Sequence, residues 1–243
     1  MQTAPNIVIV PVDGDLDVSN IDTLRVQLRQ LYRAGCRRII LNLAETHYVD
    51  SSGMGFIASE SRRMRELGGL LSLLNVSDGV RKALGIVRLL DFVPISKLAD
   101  KNAVPALDAN ARPEWQRSFS VNPTQLAAVR ERVSQLLGSM PLSSDEVFDM
   151  TLAGGEALGN AVDHTDGQGI YVTVSRYADR AVMEVSDNGE GFEPPEDCTA
   201  LVGECLERGR GIRLMQLLSD SVEFFKKSSG TGTVVRLVKL LDE

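Results

Sequence analysis

Hydrophobic and polar positions follow two different patterns along this chain. In the first half, short apolar runs rich in β-branched residues alternate with stretches whose apolar residues recur at helical spacing. The runs predict strands at 6–12, 38–43, 69–75 and 91–95, and the spacing predicts helices at 18–32, 53–67 and 78–87. Such strand–helix alternation indicates a mostly parallel sheet covered by helices.

The second half predicts a different order of elements. Ser143 lies three residues before Glu146, a capping box that predicts the start of a long helix at 145–162. The alternation around it predicts strands at 115–121, 170–176, 180–186, 221–226 and 233–240, and helices at 123–137 and 212–218. Together these elements predict a two-layer α/β sandwich with a mixed sheet.

A polar stretch with two prolines, residues 99–114, separates the halves. It predicts a short final helix and then a linker, with the domain boundary near residue 111. We therefore expect an α/β chain with one domain at 1–110 and another at 111–243. No internal repeat relates the two, which indicates a fusion of unlike domains.

Charge and composition narrow the function. Residues 1–110 carry 13 Lys and Arg against 12 Asp and Glu, and residues 111–243 carry 13 against 21. This acidic balance argues against a general nucleic-acid binder, which needs a basic face. No apolar run approaches the roughly 18 residues that span a bilayer, and the three cysteines have neither metal-ligand nor disulfide spacing. We expect a cytoplasmic protein without direct nucleic-acid or membrane contact.

Four short motifs in the second half suggest a nucleotide site. In chain order they are Glu156 with Asn160 on one helix face, Asp187 to Phe192 (DNGEGF) after a strand, Gly209 and Gly211 near a helix, and Gly230 to Thr233 (GTGT) before the last strand. Each motif alone is explained equally well by a solvated helix face or a turn. Their order, each on the appropriate element, is what indicates a function.

Each of these residue types has a matching chemistry. Asn160 offers an oxygen ligand for Mg²⁺, and Glu156 on the same face could accept the proton of an attacking hydroxyl. Asp187 is an acceptor for an exocyclic amine such as that of adenine. The glycines Gly189 and Gly191 let the backbone approach a base, whereas Gly209 and Gly211 before a helix would present free amides to phosphates.

The four motifs in this order resemble the GHKL ATPase superfamily, and within it the anti-sigma factor serine kinases. The resemblance covers about residues 115–240 and implies an ATP-dependent protein serine/threonine kinase that uses Mg²⁺. It implies that Glu156 is the general base and Asn160 the Mg²⁺ ligand. The implied ATP-binding residues are Asn160, Asp187, Gly189, Gly191, Gly209, Gly211 and Thr233. Some relatives place an arginine two residues before the first phosphate-box glycine, a position that neither Arg208 nor Arg210 occupies, so both stay outside this set.

In the first half, one loop suggests a phosphorylation site. Residues 48–55 (YVDSSGMG) lie between a predicted strand and helix, where free amides and the helix dipole would tolerate a phosphate while the surface charge changes by about −1.5 to −2. The DSSG sequence and the earlier GDLD at 14–17 resemble the STAS domain of anti-sigma factor antagonists, over about residues 5–108. The resemblance implies phosphorylation of Ser52, with Ser51 as the alternative.

Together the two resemblances predict a partner-switching regulator. The kinase domain would phosphorylate a STAS domain, its own or a partner's, and thereby control release of a sigma factor or another target. Expected partners are STAS-domain or anti-sigma kinase proteins, and a homodimer is possible. The alternative is a non-catalytic scaffold that binds nucleotide and uses the STAS domain as its interaction surface. A histidine phosphorelay role is disfavoured because the chain lacks the acceptor histidine.

Overall fold

The computed structural model describes residues 7–96, 104–108, 110–165, 169–191, 207–227 and 231–241. The chain separates into two compact units, residues 1–100 and 101–243. The predicted boundary near residue 111 stays a prediction. Most of the predicted helix at the start of 99–114 lies outside the described residues, and the described residues 104–108 form neither helix nor strand.

The first unit is built on a parallel sheet, in the strand order β1-β2-β3-β4. Its strands are β1 (Ile7–Pro11), β2 (Arg38–Asn42), β3 (Leu70–Leu74) and β4 (Ile95–Ser96), and its helices are α1 (Ile21–Arg33), α2 (Ser51–Glu66) and α3 (Asp78–Ile86). The sheet and helices enclose a core of apolar residues such as Leu28, Leu41 and Phe56. This confirms the parallel sheet and the strand–helix alternation.

Two predicted boundaries in this unit are wrong. The strand predicted at 91–95 is only Ile95–Ser96, because Leu89–Asp91 forms a 3₁₀ turn and Pro94 cannot donate to a strand ladder. The helix predicted to begin at Gly53 begins at Ser51 instead. Asp50 is its N-cap and accepts a hydrogen bond from Gly53 N at 2.7 Å, so both serines belong to the first helical turn.

The second unit is a five-stranded sheet in the order β5-β6-β7-β9-β8 with helices on one face. Its strands are β5 (Trp115–Ser120), β6 (Tyr171–Arg176), β7 (Arg180–Ser186), β8 (Ser221–Lys226) and β9 (Thr233–Leu240). Its helices are α4 (Leu126–Gly138), α5 (Ser144–Asp163) and α6 (Glu207–Leu218). These bounds confirm the α/β sandwich.

The mixed sheet predicted for this unit is wrong, because all four described strand pairs are antiparallel. After β7 and α6, the chain does not form the strand next to β7 but forms β8 at the edge of the sheet. The following strand, β9, then returns between β7 and β8 and runs antiparallel to both.

The two faces of this sheet have different neighbours. Met183 of β7 lies against α5 at Gly154, and its register partner Leu237 of β9 is fully buried. Because side chains alternate along a strand, Val182 and Glu184 point to the opposite, outer face. The helices α4, α5 and α6 therefore form one layer, and the outer face of the sheet forms the other surface of the unit.

Candidate functional site

Helix α5 carries the first two predicted site residues. The predicted capping box is present: Glu146 N donates to Ser143 Oγ at 3.3 Å, and Ser143 N donates to Glu146 Oε2 at 2.8 Å. These contacts satisfy amides at the start of the helix that have no intrahelical acceptor. At the other end of the helix, Glu156 and Asn160 are half-buried on one face, as their spacing predicts.

Helix α6 brings Gly211 against these two side chains. A Cβ atom built on Gly211 would lie 3.5 Å from Glu156 Oε2 and 3.7 Å from Asn160 Oδ1. Three residues from two motifs that lie more than 50 positions apart in the chain therefore meet. The absent side chain at Gly211 keeps a path open to a carboxylate and a carboxamide.

The glycines do not precede the helix, as the sequence predicted. Helix α6 begins at Glu207, so Gly209 lies in its first turn and Gly211 in the next. Packing of α6 on α5 outweighs the low helix propensity of glycine. The Gly209 amide is still among the first four of the helix and has no intrahelical acceptor, whereas Gly211 lies beyond them. An anion site would therefore use the amide of Gly209 rather than that of Gly211.

Asp187 follows β7 and is held by two backbone amides. The carboxylate is buried, and its Oδ1 accepts hydrogen bonds from Gly189 N at 2.8 Å and Thr233 N at 3.2 Å. The Asp187 amide in turn donates to Thr233 O at 3.0 Å. Within the described part of the chain, Oδ2 makes no hydrogen bond. The carboxylate is therefore fixed through one oxygen and keeps the other as an acceptor.

Gly189 packs directly on the end of α5. A Cβ atom there would lie 2.7 Å from His164 O and 3.3 Å from Thr165 Cγ2, so only glycine fits. His164 N donates to Asn160 O at 3.0 Å, which places the contact one helical turn from Asn160. The Asp187 loop and the Glu156–Asn160 face are therefore neighbours along α5. Gly191 has φ +90°, a conformation that favours glycine, and a Cβ atom there would meet no described residue within 4 Å.

Gly232 is a residue whose role the sequence reasoning missed. Its φ is +92°, and a Cβ atom would overlap the carbonyl oxygen of Asp187. The glycine lets the start of β9 lie against the Asp187 loop, which brings Thr233 into hydrogen-bonding range. The signal was present in the GTGT motif, where only Thr233 was selected.

A second missed contact is from Lys227 Nζ to Asn188 Oδ1 at 2.8 Å, beside Asp187.

The described residues fit a magnesium nucleotide. Oδ2 of Asp187 can accept from an exocyclic amine, Asn160 can supply one oxygen to Mg²⁺, and the Gly209 amide can donate to a phosphate. Among the described residues no cluster of three or more His, Cys, Asp or Glu could hold a metal by itself. A magnesium ion would therefore depend on phosphate oxygens and water for its remaining ligands.

In the first unit, the two candidate serines lie exposed at the start of α2. Neither hydroxyl has a hydrogen-bond partner among the described residues. Asp50 caps the helix, and a Cβ atom on Gly53 would overlap Leu16 O, so the turn is held tightly to the preceding loop. The serine amides at this helix end have no intrahelical acceptor, which suits a phosphate.

The predicted GDLD turn supports this end of the sheet. Asp15 Oδ1 accepts hydrogen bonds from His47 N at 2.9 Å and Tyr48 N at 2.8 Å. Leu16 forms a parallel bridge with Val49. The GDLD turn therefore positions the backbone that leads into Asp50 and the two serines.

Known protein families match both halves of the chain. A family model for the STAS domain matches residues 1–101, and a model for a histidine kinase-like ATPase domain matches residues 119–239. The anti-sigma-B factor antagonist of Staphylococcus aureus is 30% identical over 88 residues, which cover 36% of this chain and 82% of that protein. The chain belongs to the STAS family and carries a histidine kinase-like ATPase domain. Hereafter the two units are called the STAS domain and the ATPase domain.

Relatives of the ATPase domain include kinases. The serine-protein kinase RsbW of Halalkalibacterium halodurans is 29% identical over 126 residues, which cover 48% of this chain and 76% of that protein. Among solved structures, the anti-sigma factor antagonist SpoIIAA in its unphosphorylated form matches with a TM-score of 0.36 and 24% identity, covering 42% of this chain and 86% of that one. The kinase relative and the anti-sigma-B factor antagonist, together with the two family models, support a partner-switching regulator.

No helix in the described part of the chain is long and apolar enough to span a membrane. The roles of the predicted site residues stay predictions. What the structure adds is their grouping: Glu156, Asn160 and Gly211 in one cluster, and Asp187, Gly189 and Thr233 in the next.

Proposed function

We propose that the ATPase domain is a protein serine kinase that binds Mg-ATP and phosphorylates a STAS domain. The observation that carries the proposal is the position of Gly211 in α6, where even a Cβ atom would reach van der Waals contact with Glu156 and Asn160. A helix N-terminus, a carboxylate and a carboxamide then surround one space. These are the groups that phosphoryl transfer to a hydroxyl requires.

In this proposal Glu156 accepts the proton as the serine hydroxyl oxygen attacks the terminal phosphorus. The bond from that phosphorus to the bridging oxygen breaks, and ADP leaves with the bond's electron pair. Asn160 holds Mg²⁺, Asp187 accepts from the adenine amine through Oδ2, and the Gly209 amide donates to phosphate. Mg-ATP supplies the phosphoryl group, and the protein contributes mainly position and charge stabilisation. The proposal places the chain in the cytoplasm, where ATP is available.

The proposed acceptor is Ser52, with Ser51 as the alternative. Both are exposed in the first turn of α2, so phosphorylation would add charge to a surface without disturbing the buried core. The unphosphorylated surface would bind a kinase domain and displace a sigma factor or another target. Phosphorylation would then disrupt that interface and release the STAS domain.

Incubation with Mg-ATP followed by peptide mass spectrometry tests the proposal. We expect phosphate on Ser52 or Ser51, and at least a hundredfold lower rate in Glu156→Gln, because a general base contributes about 10²–10⁴-fold. The variant should still bind ATP, which separates loss of the base from loss of the site. Glu131→Gln, an exposed residue of α4 whose carboxylate accepts a hydrogen bond from Gln135 at 3.0 Å, is the matched control and should keep the wild-type rate.

ATP binding without phosphate on this chain or on an added STAS protein would contradict the kinase. That outcome would leave the nucleotide-dependent scaffold as the function. The regulated target is sought by pull-down with Ser52→Ala beside Ser52→Asp. A partner retained by the alanine variant and lost with the aspartate variant is the expected output.

A further inference from the structure

Two valines on the outer face of the ATPase sheet break the polar pattern expected there. Val182 of β7 and Val238 of β9 are register partners and are 5% and 4% exposed. A sheet that has one face in water is expected to carry polar residues on that face. Because the helices cover the opposite face, another part of the domain must cover these two side chains.

The cover is the segment Val104–Leu107, which is called the strap. Arg180 of β7 fixes it, because Nη1 donates a hydrogen bond to Pro105 O at 2.7 Å. Asp179 holds the same guanidinium group, with hydrogen bonds of 3.0 Å from Nε and 2.6 Å from Nη2. Hydrogen bonds from a charged donor are among the stronger ones in proteins. The strap is therefore fastened across the outer face of the sheet, within the same compact unit.

The strap does not fill the space beneath it. A cavity of about 290 Å³ lies between the strap and the sheet. This volume is close to the lower end of the roughly 300–1,000 Å³ that small-molecule sites occupy. Val182 and Val238 on the sheet side and Val104 and Leu107 on the strap side give the cavity apolar walls. The space therefore suits a small molecule with an apolar body.

One polar side chain in this cavity has no partner. Ser175 of β6, the register partner of Val182, is 5% exposed and lines the cavity. Its hydroxyl makes no hydrogen bond to any part of the chain that the structure describes. A buried hydroxyl without a partner is unfavourable. The next hydroxyl along the strand differs, since Thr173 and Ser118 share a hydrogen bond of 2.9 Å. Ser175 therefore has an open position for a ligand, and Thr173 does not.

The charged part of the cavity lining carries an excess of negative charge. Arg236 donates to Glu184 Oε1 at 2.8 Å and to Glu223 Oε2 at 3.3 Å, and all three residues line the cavity. The second oxygen of each carboxylate has no hydrogen bond within the described ranges of the chain. Arg180 adds no net charge because Asp179 neutralises it. Two carboxylates thus share one guanidinium, which favours a cation that brings its own N–H donors.

We propose that this cavity, called the strap cavity, binds a small monocationic amine with an apolar body. The ammonium group donates to the free carboxylate oxygens of Glu184 and Glu223, and the hydroxyl of Ser175 accepts or donates a further hydrogen bond. The apolar body lies between the strap and the two valines. Binding is non-covalent and independent of the proposed kinase activity.

The strap cavity is separate from the candidate nucleotide site. Met183 lies between the cavity residues Val182 and Glu184 along β7, and its side chain points to the other face of the sheet. There it contacts α5 at Gly154, on the helix that carries Glu156. An amine in the strap cavity and a nucleotide beside α5 would therefore occupy opposite faces of one sheet.

A titration of the full-length protein with 2-phenylethylamine tests the proposal, with binding followed by saturation-transfer NMR. We expect saturable binding with a Kd in the millimolar range, which is typical of a ligand with few atoms. The neutral analogue 2-phenylethanol has nearly the same shape and should bind about tenfold more weakly, because it lacks the charged donor. Absence of saturable binding of the amine would overturn the proposal, and so would equal affinity for the alcohol.

Variants locate the amine. Glu184→Gln and Ser175→Ala should each weaken its binding, by about tenfold for the charged contact. Glu131→Gln and Thr173→Val make comparable changes outside the cavity lining and should keep the wild-type Kd. Asp187→Asn should also leave the Kd unchanged. Binding that is lost in Asp187→Asn and kept in Glu184→Gln would place the amine in the nucleotide site and refute the inference.

Hydrogen exchange of the wild-type protein covers the case in which a cavity variant does not fold. With the amine bound, we expect slower exchange in peptides that contain the strap or residues 175–184. The alcohol at the same concentration should protect these peptides less. Protection confined to other peptides would show that the amine binds elsewhere and would contradict the proposal.

Discussion

Substituting Gly232 by alanine perturbs the contact that joins β9 to the Asp187 loop. Its φ of +92° is a backbone conformation that side chains rarely adopt, and the added Cβ atom would overlap the carbonyl oxygen of Asp187. Gly191 separates these two effects. Its φ is +90°, but a Cβ atom there meets none of the described residues within 4 Å.

The magnitudes follow from this pair. Gly191→Ala adds only backbone strain, which costs about 1–2 kcal/mol. Gly232→Ala adds similar strain and also an overlap with backbone that cannot move without releasing the Asp187–Thr233 hydrogen bonds. Such overpacking costs about 1–3 kcal/mol more, so we expect a total loss of about 2–5 kcal/mol. Displacement of Thr233 would also release Oδ1 of Asp187 and weaken ATP binding.

Urea unfolding followed by tryptophan fluorescence measures the difference. Trp115 is the single tryptophan and lies in β5, so its signal reports on the ATPase domain. We expect the unfolding midpoint to fall further in Gly232→Ala than in Gly191→Ala, at an unchanged slope. An equal or smaller loss in Gly232→Ala would refute the reasoning, because it would show that the β9 contact does not require glycine.

Three further outcomes are expected. Asp187→Asn keeps the Oδ1 acceptor but replaces the free oxygen by a donor, so calorimetric ATP affinity should fall at least tenfold while the unfolding midpoint changes little. Ser143→Ala removes the N-cap of α5 and should cost about 1 kcal/mol in urea unfolding. The pKa of Lys239 is lowered by burial, but Asp220 and Glu146 outweigh burial and raise it above 10.5. The ion pairs should therefore contribute their full stabilisation below pH 10.5. The contribution should decrease as the pH rises through the higher pKa of the folded state. In alkaline melting curves, Lys239→Met should not show this decrease.

Local features of the chain were predicted well. The capping box at Ser143 and Glu146 predicted the start of α5 to within one residue, because the signal lies within four positions. Strands β1 to β3 of the STAS domain and their helices were also predicted, since the spacing of apolar residues is enough to distinguish these strands from these helices. The errors occurred where one residue reverses a local rule: Asp50 begins α2 two residues early, and Pro94 shortens β4.

The order of the strands in the second sheet could not be predicted from the local hydrophobic pattern. Periodicity indicated strands in the second half, but it could not place β9 between β7 and β8, because strand order depends on how the intervening connection packs. The glycines at 209 and 211 were predicted to precede a helix, yet packing on α5 makes them part of it. No local rule distinguishes a glycine that ends a helix from one that allows two helices to approach.

The sequence by itself determined that this chain joins a STAS domain to an ATPase domain, and which residue types could bind nucleotide. Only the tertiary structure decided that Gly211 packs beside Glu156 and Asn160, and that Gly232 lies against the carbonyl group of Asp187. Motif order is encoded residue by residue along the chain. Contact between motifs depends on close packing among elements far apart in sequence, where a single Cβ atom decides which surfaces meet.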